Sequence, residues 1–139
     1  MLMAAISCQN SVPIVKIGDV SLEVEVSETL EEHINGLSGR ENLSDMSGML
    51  FVFEAEGSWP MWMRGMKIPL DFIWISDECM IVDAVTAVVP PDSGIPESQL
   101  ITYESTFPAA YILEVNGGQM ENLGIQIGDK VRFLSLIHI

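Results

Sequence analysis

The apolar residues of this chain come in short runs, each cut by glycine, proline or a cluster of small polar residues. That punctuation leaves no room for a long helix, and no run reaches the ~18 apolar residues that a membrane-crossing helix needs. Val20, Leu22, Val24 and Val26 alternate with Ser21, Glu23 and Glu25, the period of a strand buried on one face, and Ile14–Ile17 precedes them across Gly18-Asp19. Met49–Phe53 is apolar at every position, as in a strand buried on both faces. Leu70–Ile75 and Cys79–Val89 predict a hairpin across Ser76-Asp77-Glu78, and Ile101–Tyr103, Ala110–Val115 and Lys130–Phe133 predict further strands. Trp59–Met66 is strand-like, but Pro60 lacks a backbone donor and confines that end to an edge or bulge. Thr29 and Glu32 form a capping box that starts a short helix ending at Gly36, with Leu30, Ile34 and Leu37 on one face. A second helical turn follows Asn116-Gly117-Gly118 and reaches Leu123. The expected architecture is α+β and mainly β: a compact antiparallel sheet, closed or nearly closed into a small barrel, with one or two short helices.

A chain of 139 residues makes one domain with a real core, and 48% apolar residues exclude a disordered chain. Six basic residues against twenty acidic ones give a net charge of -14. Such a surface repels phosphate backbones and anionic headgroups, so nucleic acid is not an expected partner; the charge chiefly serves solubility.

The ends read differently from the middle. Ala5-Ile6-Ser7-Cys8 resembles a bacterial lipobox, in which small residues precede a cysteine that becomes a lipidated N-terminus, and polar Gln9, Asn10 and Ser11 follow as a tether would. Residues 1–11 are therefore expected to be the end of a lipoprotein signal or tether, with Cys8 as the lipidation site and the protein exported, periplasmic or lipid-anchored at the cell envelope. Leu134-Ser135-Leu136-Ile137-His138-Ile139 matches the translation of a transposase end sequence used as a sequencing adapter, so residues 134–139 are read as a scar. Residues 12–133 form the single expected domain.

The richest chemistry lies in Met61-Trp62-Met63-Arg64-Gly65-Met66-Lys67-Ile68-Pro69-Leu70-Asp71, which sets two cations and a carboxyl among thioethers and indole. Arg64 and Lys67, with Arg40, Trp62, Asp71 and Tyr103, are the candidate ligand-binding residues. An arginine fork grips a carboxylate or phosphate, and Asp71 would orient it or accept from a ligand hydroxyl. The competing reading pairs Asp71 with Arg40 or Arg64 as a scaffold, because a lone buried carboxyl is costly. Met61, Met63 and Met66 beside Trp59 and Trp62 form a candidate Cu(I) site, since soft thioethers select that ion and an indole face can cap it. Apolar packing explains the same methionines. On a strand Met61 and Met63 share a face, whereas Met66 needs Gly65 to bend the chain.

Catalytic sets are thin. Cys79 lies in an apolar strand with no neighbouring cation in sequence, His33 stands beside Glu31 and Glu32 near a helix end, and no zinc spacing or nucleophile-elbow pattern occurs. Tyr103 and Glu114 are candidates to border a pocket, although alternation along a strand explains both. No residue set requires a cofactor.

A longer pattern runs from Gly36-Leu37 and Arg40 through Gly48–Phe53, Trp62-Met63 and Ile68-Pro69-Leu70-Asp71. It continues with Tyr103, Ser105, Pro108-Ala109, Tyr111–Glu114, Gly124-Ile125 and Gly128-Asp129. The chain resembles domain-of-unknown-function family 192, small prokaryotic proteins that are often exported. It departs from the family pattern at Ser38, Met61, Gly65 and Met66. The resemblance implies a family and no mechanism. The expected function is a noncatalytic binding or interaction module at the envelope for a small anionic ligand or an envelope protein, with an enzyme using Arg64, Lys67 and Asp71 on an anionic substrate as the alternative.

Overall fold

The computed structural model describes residues 12–135. Cys8 and its lipobox-like neighbours, and residues 136–139 of the segment read from sequence as a scar, lie outside the described residues. Among the described residues, nine strands and two short α-helices follow one another: β1 (Ile14–Ile17), β2 (Val20–Ser27), α1 (Leu30–Asn35), β3 (Ser47–Gly57), β4 (Met61–Trp62), β5 (Leu70–Ile75), β6 (Ile81–Val88), β7 (Thr102–Tyr103), β8 (Ala109–Asn116), α2 (Gln119–Asn122) and β9 (Val131–Leu134). Seven of them form one sheet in the order β6-β5-β8-β3-β2-β1-β9, and β4 and β7 make a separate two-stranded ribbon. The sheet curls into a half-barrel whose edge strands approach each other at a bridge between Met80 and Lys130, so the fold is α+β and mainly β. One pairing departs from the expected antiparallel pattern: β2 and β3 run parallel, because α1 and the following loop carry the chain back before β3 begins.

The capping box at α1 forms as the sequence predicts. Thr29 Oγ1 accepts from Glu32 N at 3.1 Å, and Glu32 reaches back to Glu28 N at 2.8 Å. Gly36 ends the helix at φ +44°. The apolar face of α1 is not covered, however: Leu30 is 75% exposed and Ile34 41%, and only Leu37 beyond the helix is buried. The long Trp59–Met66 strand expected from sequence shrinks to Met61–Trp62, because Pro60 stops pairing on one side and a turn at Gly65 stops it on the other.

Strand alternation sorts the core into two layers. Ile73, Ile75, Leu113, Val115, Leu50, Leu22 and Val24 fill the concave side, while Phe72, Trp74, Ile112, Met49 and Phe51 point the other way. The convex layer is sealed by Leu37 and by Met61, Met63 and Met66. β5 is buried along its whole length because it carries apolar residues on both parities.

At the joint between β3 and β8 the backbones come too close for a side chain. A Cβ at Gly48 would lie 2.5 Å from the Glu114 carbonyl oxygen. Gly48→Ala is expected to destabilise the protein by about 2 kcal/mol through strand displacement, measured by urea unfolding. A change below about 0.5 kcal/mol would contradict that close approach.

Candidate functional site

Across the convex face, neighbouring strands place Glu25, Met49, Glu114 and Phe72 in one row, and Ser27, Phe51, Ile112 and Trp74 in the next. Glu25 stands at the exposed end of the first row and takes a bidentate ion pair from Arg40, which holds the Glu25 carboxyl below its ordinary pKa. Glu114 stands in the middle, between Met49 and Phe72, and is only 3% exposed. Among the described residues, no donor reaches Glu114 Oε2. Burial alone pushes its pKa up to about 8, so at neutral pH the group is mostly an uncharged acid.

The segment after Pro60 arches over this face. Its start is pinned where Trp74 Nε1 donates to the Trp59 carbonyl at 3.2 Å. Gly65, at φ +66°, reverses the chain, and Met66 N donates to the Met63 carbonyl at 3.1 Å. This is the bend Met66 requires, and it returns the thioether to the sheet. The turn is tied to the end of α1 by Ser38 Oγ donating to the Arg64 carbonyl at 2.6 Å and Gly39 N donating to the Gly65 carbonyl at 2.9 Å.

Between arch, helix and sheet lies a slot of about 40 Å³, walled by Phe51, Met61, Trp62, Arg64 and Met66 with Glu114 among its lining. It adjoins a groove of about 290 Å³ with which it shares His33, Ile34, Phe51, Pro60, Met61 and Trp62. Aromatic rings build that groove. His33 lies 4.5 Å from the Phe53 ring, and Phe53 stacks on Trp59 at 4.4 Å and 7°. The His33 Nε2 contacts the Ser27 carbonyl at 3.0 Å, so the imidazole ties α1 to the end of β2 and does not cap its own helix.

The candidates from the sequence do not converge. Asp71 is fully buried and pairs with neither Arg40 nor Arg64. Its Oδ1 accepts from Ala87 N at 2.7 Å and Gly118 N at 2.9 Å, and its Oδ2 accepts from Met120 N at 2.8 Å. Backbone amides satisfy the carboxyl where a guanidinium was expected, bracing a β6 bulge against the start of α2. Arg40 is held by Glu25, Arg64 by Glu97 at 3.1 Å, and Lys67 by Glu41 at 3.7 Å. Arg64 and Trp62 line the slot, with the guanidinium 5.6 Å from the indole centroid. Tyr103 pairs with Met61 across the ribbon and opens with Met63 into a second concavity of about 270 Å³ beside Pro90, Pro91 and Ile95. The three thioethers are thus divided: Met61 and Met66 line the slot, and Met63 lines the other hollow.

Glu114 is the residue that sequence reading undervalued. Its signal was a carboxyl inside Ala109–Val115, a run apolar on both parities and therefore buried on both faces.

A family model described as "Uncharacterized ACR" (DUF192) matches residues 13–133. The chain belongs to the DUF192 family. Two solved structures share the fold of this DUF192 protein. One, from Sinorhizobium meliloti 1021 and designated a candidate transcription regulator, is 27% identical, with a TM-score of 0.77 over 89% of this chain and 93% of that one. The other, a protein of unknown function from Novosphingobium aromaticivorans DSM 12444, is 30% identical, with a TM-score of 0.77 over 86% of this chain and 83% of that one. No curated protein matches the chain. In this DUF192 protein the acid in an apolar slot can donate one hydrogen bond, or ionise when a positive charge enters.

Proposed function

We infer that this DUF192 protein is a noncatalytic binding module, working at the cell envelope, that takes a small ligand into the aromatic groove above Glu114. The observation that carries the reading is a buried carboxyl whose Oε2 has no donor among the described residues, set in a slot beside the groove built by His33, Phe53 and Trp59. Concave apolar walls with one deep polar group are the usual make-up of a ligand site. The envelope assignment is supported by the lipobox-like Ala5–Cys8.

The polar groups around the slot are engaged in holding the fold. The Ser38 hydroxyl donates to the Arg64 carbonyl, and His33 contacts the Ser27 carbonyl. An anionic ligand gripped by Arg40, Arg64 and Lys67 is less well supported, because each cation already has a glutamate and only Arg64 of the three lines the slot. The regulator designation of the Sinorhizobium protein is not carried over either, since a net charge of -14 opposes contact with a phosphate backbone.

One observation favours an enzyme as a second reading: an acid with its pKa near 8 in a cleft is suited to donate a proton at neutral pH. Glu114, not the saturated Asp71, would then be the acid.

Titrating 1-hexanol while following tryptophan fluorescence tests the groove. A saturable change is expected, with affinity falling about tenfold or more in Trp59→Ala while the fold is kept. A linear, non-saturating response in the parent protein would sink the reading.

A further inference from the structure

The acid at the floor of the slot has an oxygen without a donor among the described residues, and the cations of the surrounding segments are already taken. Arg40 is spent on Glu25, Arg64 on Glu97 and Lys67 on Glu41, all at the surface. The titratable groups that line the slot with Glu114 are His33 from α1 and Arg64 from the arch. Among the described residues neither is within hydrogen-bonding distance of Glu114 Oε2. The walls offer the ring of Phe51 and the thioethers of Met61 and Met66, surfaces that attract a cation through a π face and polarisable sulfur, beside the Trp62 indole that already carries Arg64 on one face. A volume of about 40 Å³ holds one or two water-sized groups and no more.

We propose that the slot receives a primary ammonium group, carried by a small free amine whose unbranched apolar stem lies in the aromatic groove, with Glu114 as its counter-ion. The inference rests on the groove reading above and adds the chemical class of the ligand. A hydroxyl would gain a single hydrogen bond to Glu114. An ammonium instead converts a desolvated acid into a closed ion pair and satisfies the carboxyl that the protein leaves without a donor. A carboxylate or phosphate head would meet Glu114 without a free cation at that depth. The strongly acidic surface draws cations toward the site. Because Glu114 is held mostly protonated at neutral pH, capture of an ammonium must expel the carboxyl proton to solvent.

The experiment is calorimetric titration of the whole chain with hexylamine hydrochloride at pH 7, in phosphate and in Tris, with 1-hexanol and hexanoate as matched stems. The expected result is that hexylamine binds at least about tenfold more tightly than hexanol and releases close to one proton per amine, read from the difference in heat between the two buffers. Glu114→Gln should abolish the proton release and remove the preference for the amine, while Lys67→Ala, at a cation outside the slot, leaves both in place. Proton release is measured on the parent protein, so the test stands even if a variant fails to fold. Hexanol binding as tightly as hexylamine, without proton release, overturns the ammonium proposal and leaves the groove reading intact. Hexanoate binding best overturns it in favour of an anion site, and binding of none of the three overturns both readings. Tighter binding of Nα-acetyl-lysine N-methylamide than of hexylamine overturns the assignment to a small free amine.

Discussion

Replacing Glu114 with glutamine is expected to make the protein more stable in mild alkali, by a margin that grows with pH. An acid whose pKa is higher in the folded state holds its proton longer there. Its favourable contribution is therefore complete below the ordinary value of 4.5 and is lost as pH rises through about 8. Over that window the parent protein should lose on the order of 4 kcal/mol relative to Glu114→Gln, because ionising the carboxyl leaves a charge among Met49, Phe72 and the arch methionines. Urea unfolding of both proteins at pH 5 and pH 9 measures it, and the difference between the pair cancels the other titrating groups. A difference that is flat to within about 1 kcal/mol would mean that water or a counter-ion reaches the carboxyl.

The second large effect belongs to the other buried acid. Asp71→Ala is expected to cost about 3–5 kcal/mol, because it strands the amides of Ala87, Gly118 and Met120 without their acceptor. Ala87 stands strained at φ +53° where the β5–β6 register shifts, and Gly118 at φ +87° opens α2, so losing the brace frees one strained corner and one glycine turn at once. Asp71→Asn keeps one accepting oxygen and should cost about half as much. Denaturant unfolding gives the energies. Amide exchange gives the location: Ala87, Gly118 and Met120 should lose protection before the middle of the sheet does. An Asp71→Ala protein within about 1 kcal/mol of its parent would remove the brace from the account.

The two acids also show how far the sequence could be read. Strand positions followed from alternation and turn residues, and the half-barrel followed from many short strands that must bury both parities of β5 and β8. The parallel β2–β3 pair was not legible, because its cause is the path of the chain around α1 and not any residue type. Asp71 was recognised as a buried carboxyl, yet its partners were assigned to arginines. Its true donors are backbone N–H groups, which every residue but proline carries and which no side-chain pattern announces. The adjoining motif residues become intelligible only in three dimensions. Gly117 N donates to the Pro69 carbonyl at 2.9 Å, and a Cβ on Gly117 would come within 2.8 Å of Pro69 Cβ. Ile68-Pro69-Leu70-Asp71 and Asn116-Gly117-Gly118 are therefore two halves of one joint.

At the candidate site the sequence supplied the walls and missed the floor. Trp62, Arg64, Met61 and Met66 do line one cavity. Arg40, Lys67 and Asp71 are held elsewhere by Glu25, Glu41 and backbone amides, contacts between residues far apart in the chain. Glu114 entered the sequence reading as an alternating strand position, although the apolar residues on both sides of it already placed it inside.

The central claim is that Glu114 is a neutral acid at the base of a ligand groove. Carbon-13 NMR of the Glu114 side-chain carboxyl, titrated in the free protein and again with saturating hexylamine, tests it most directly. The account predicts a midpoint of about 8 in the free protein, shifted clearly downward when the amine is bound. A midpoint near the ordinary 4.5 in the free protein, unmoved by the amine, would contradict it.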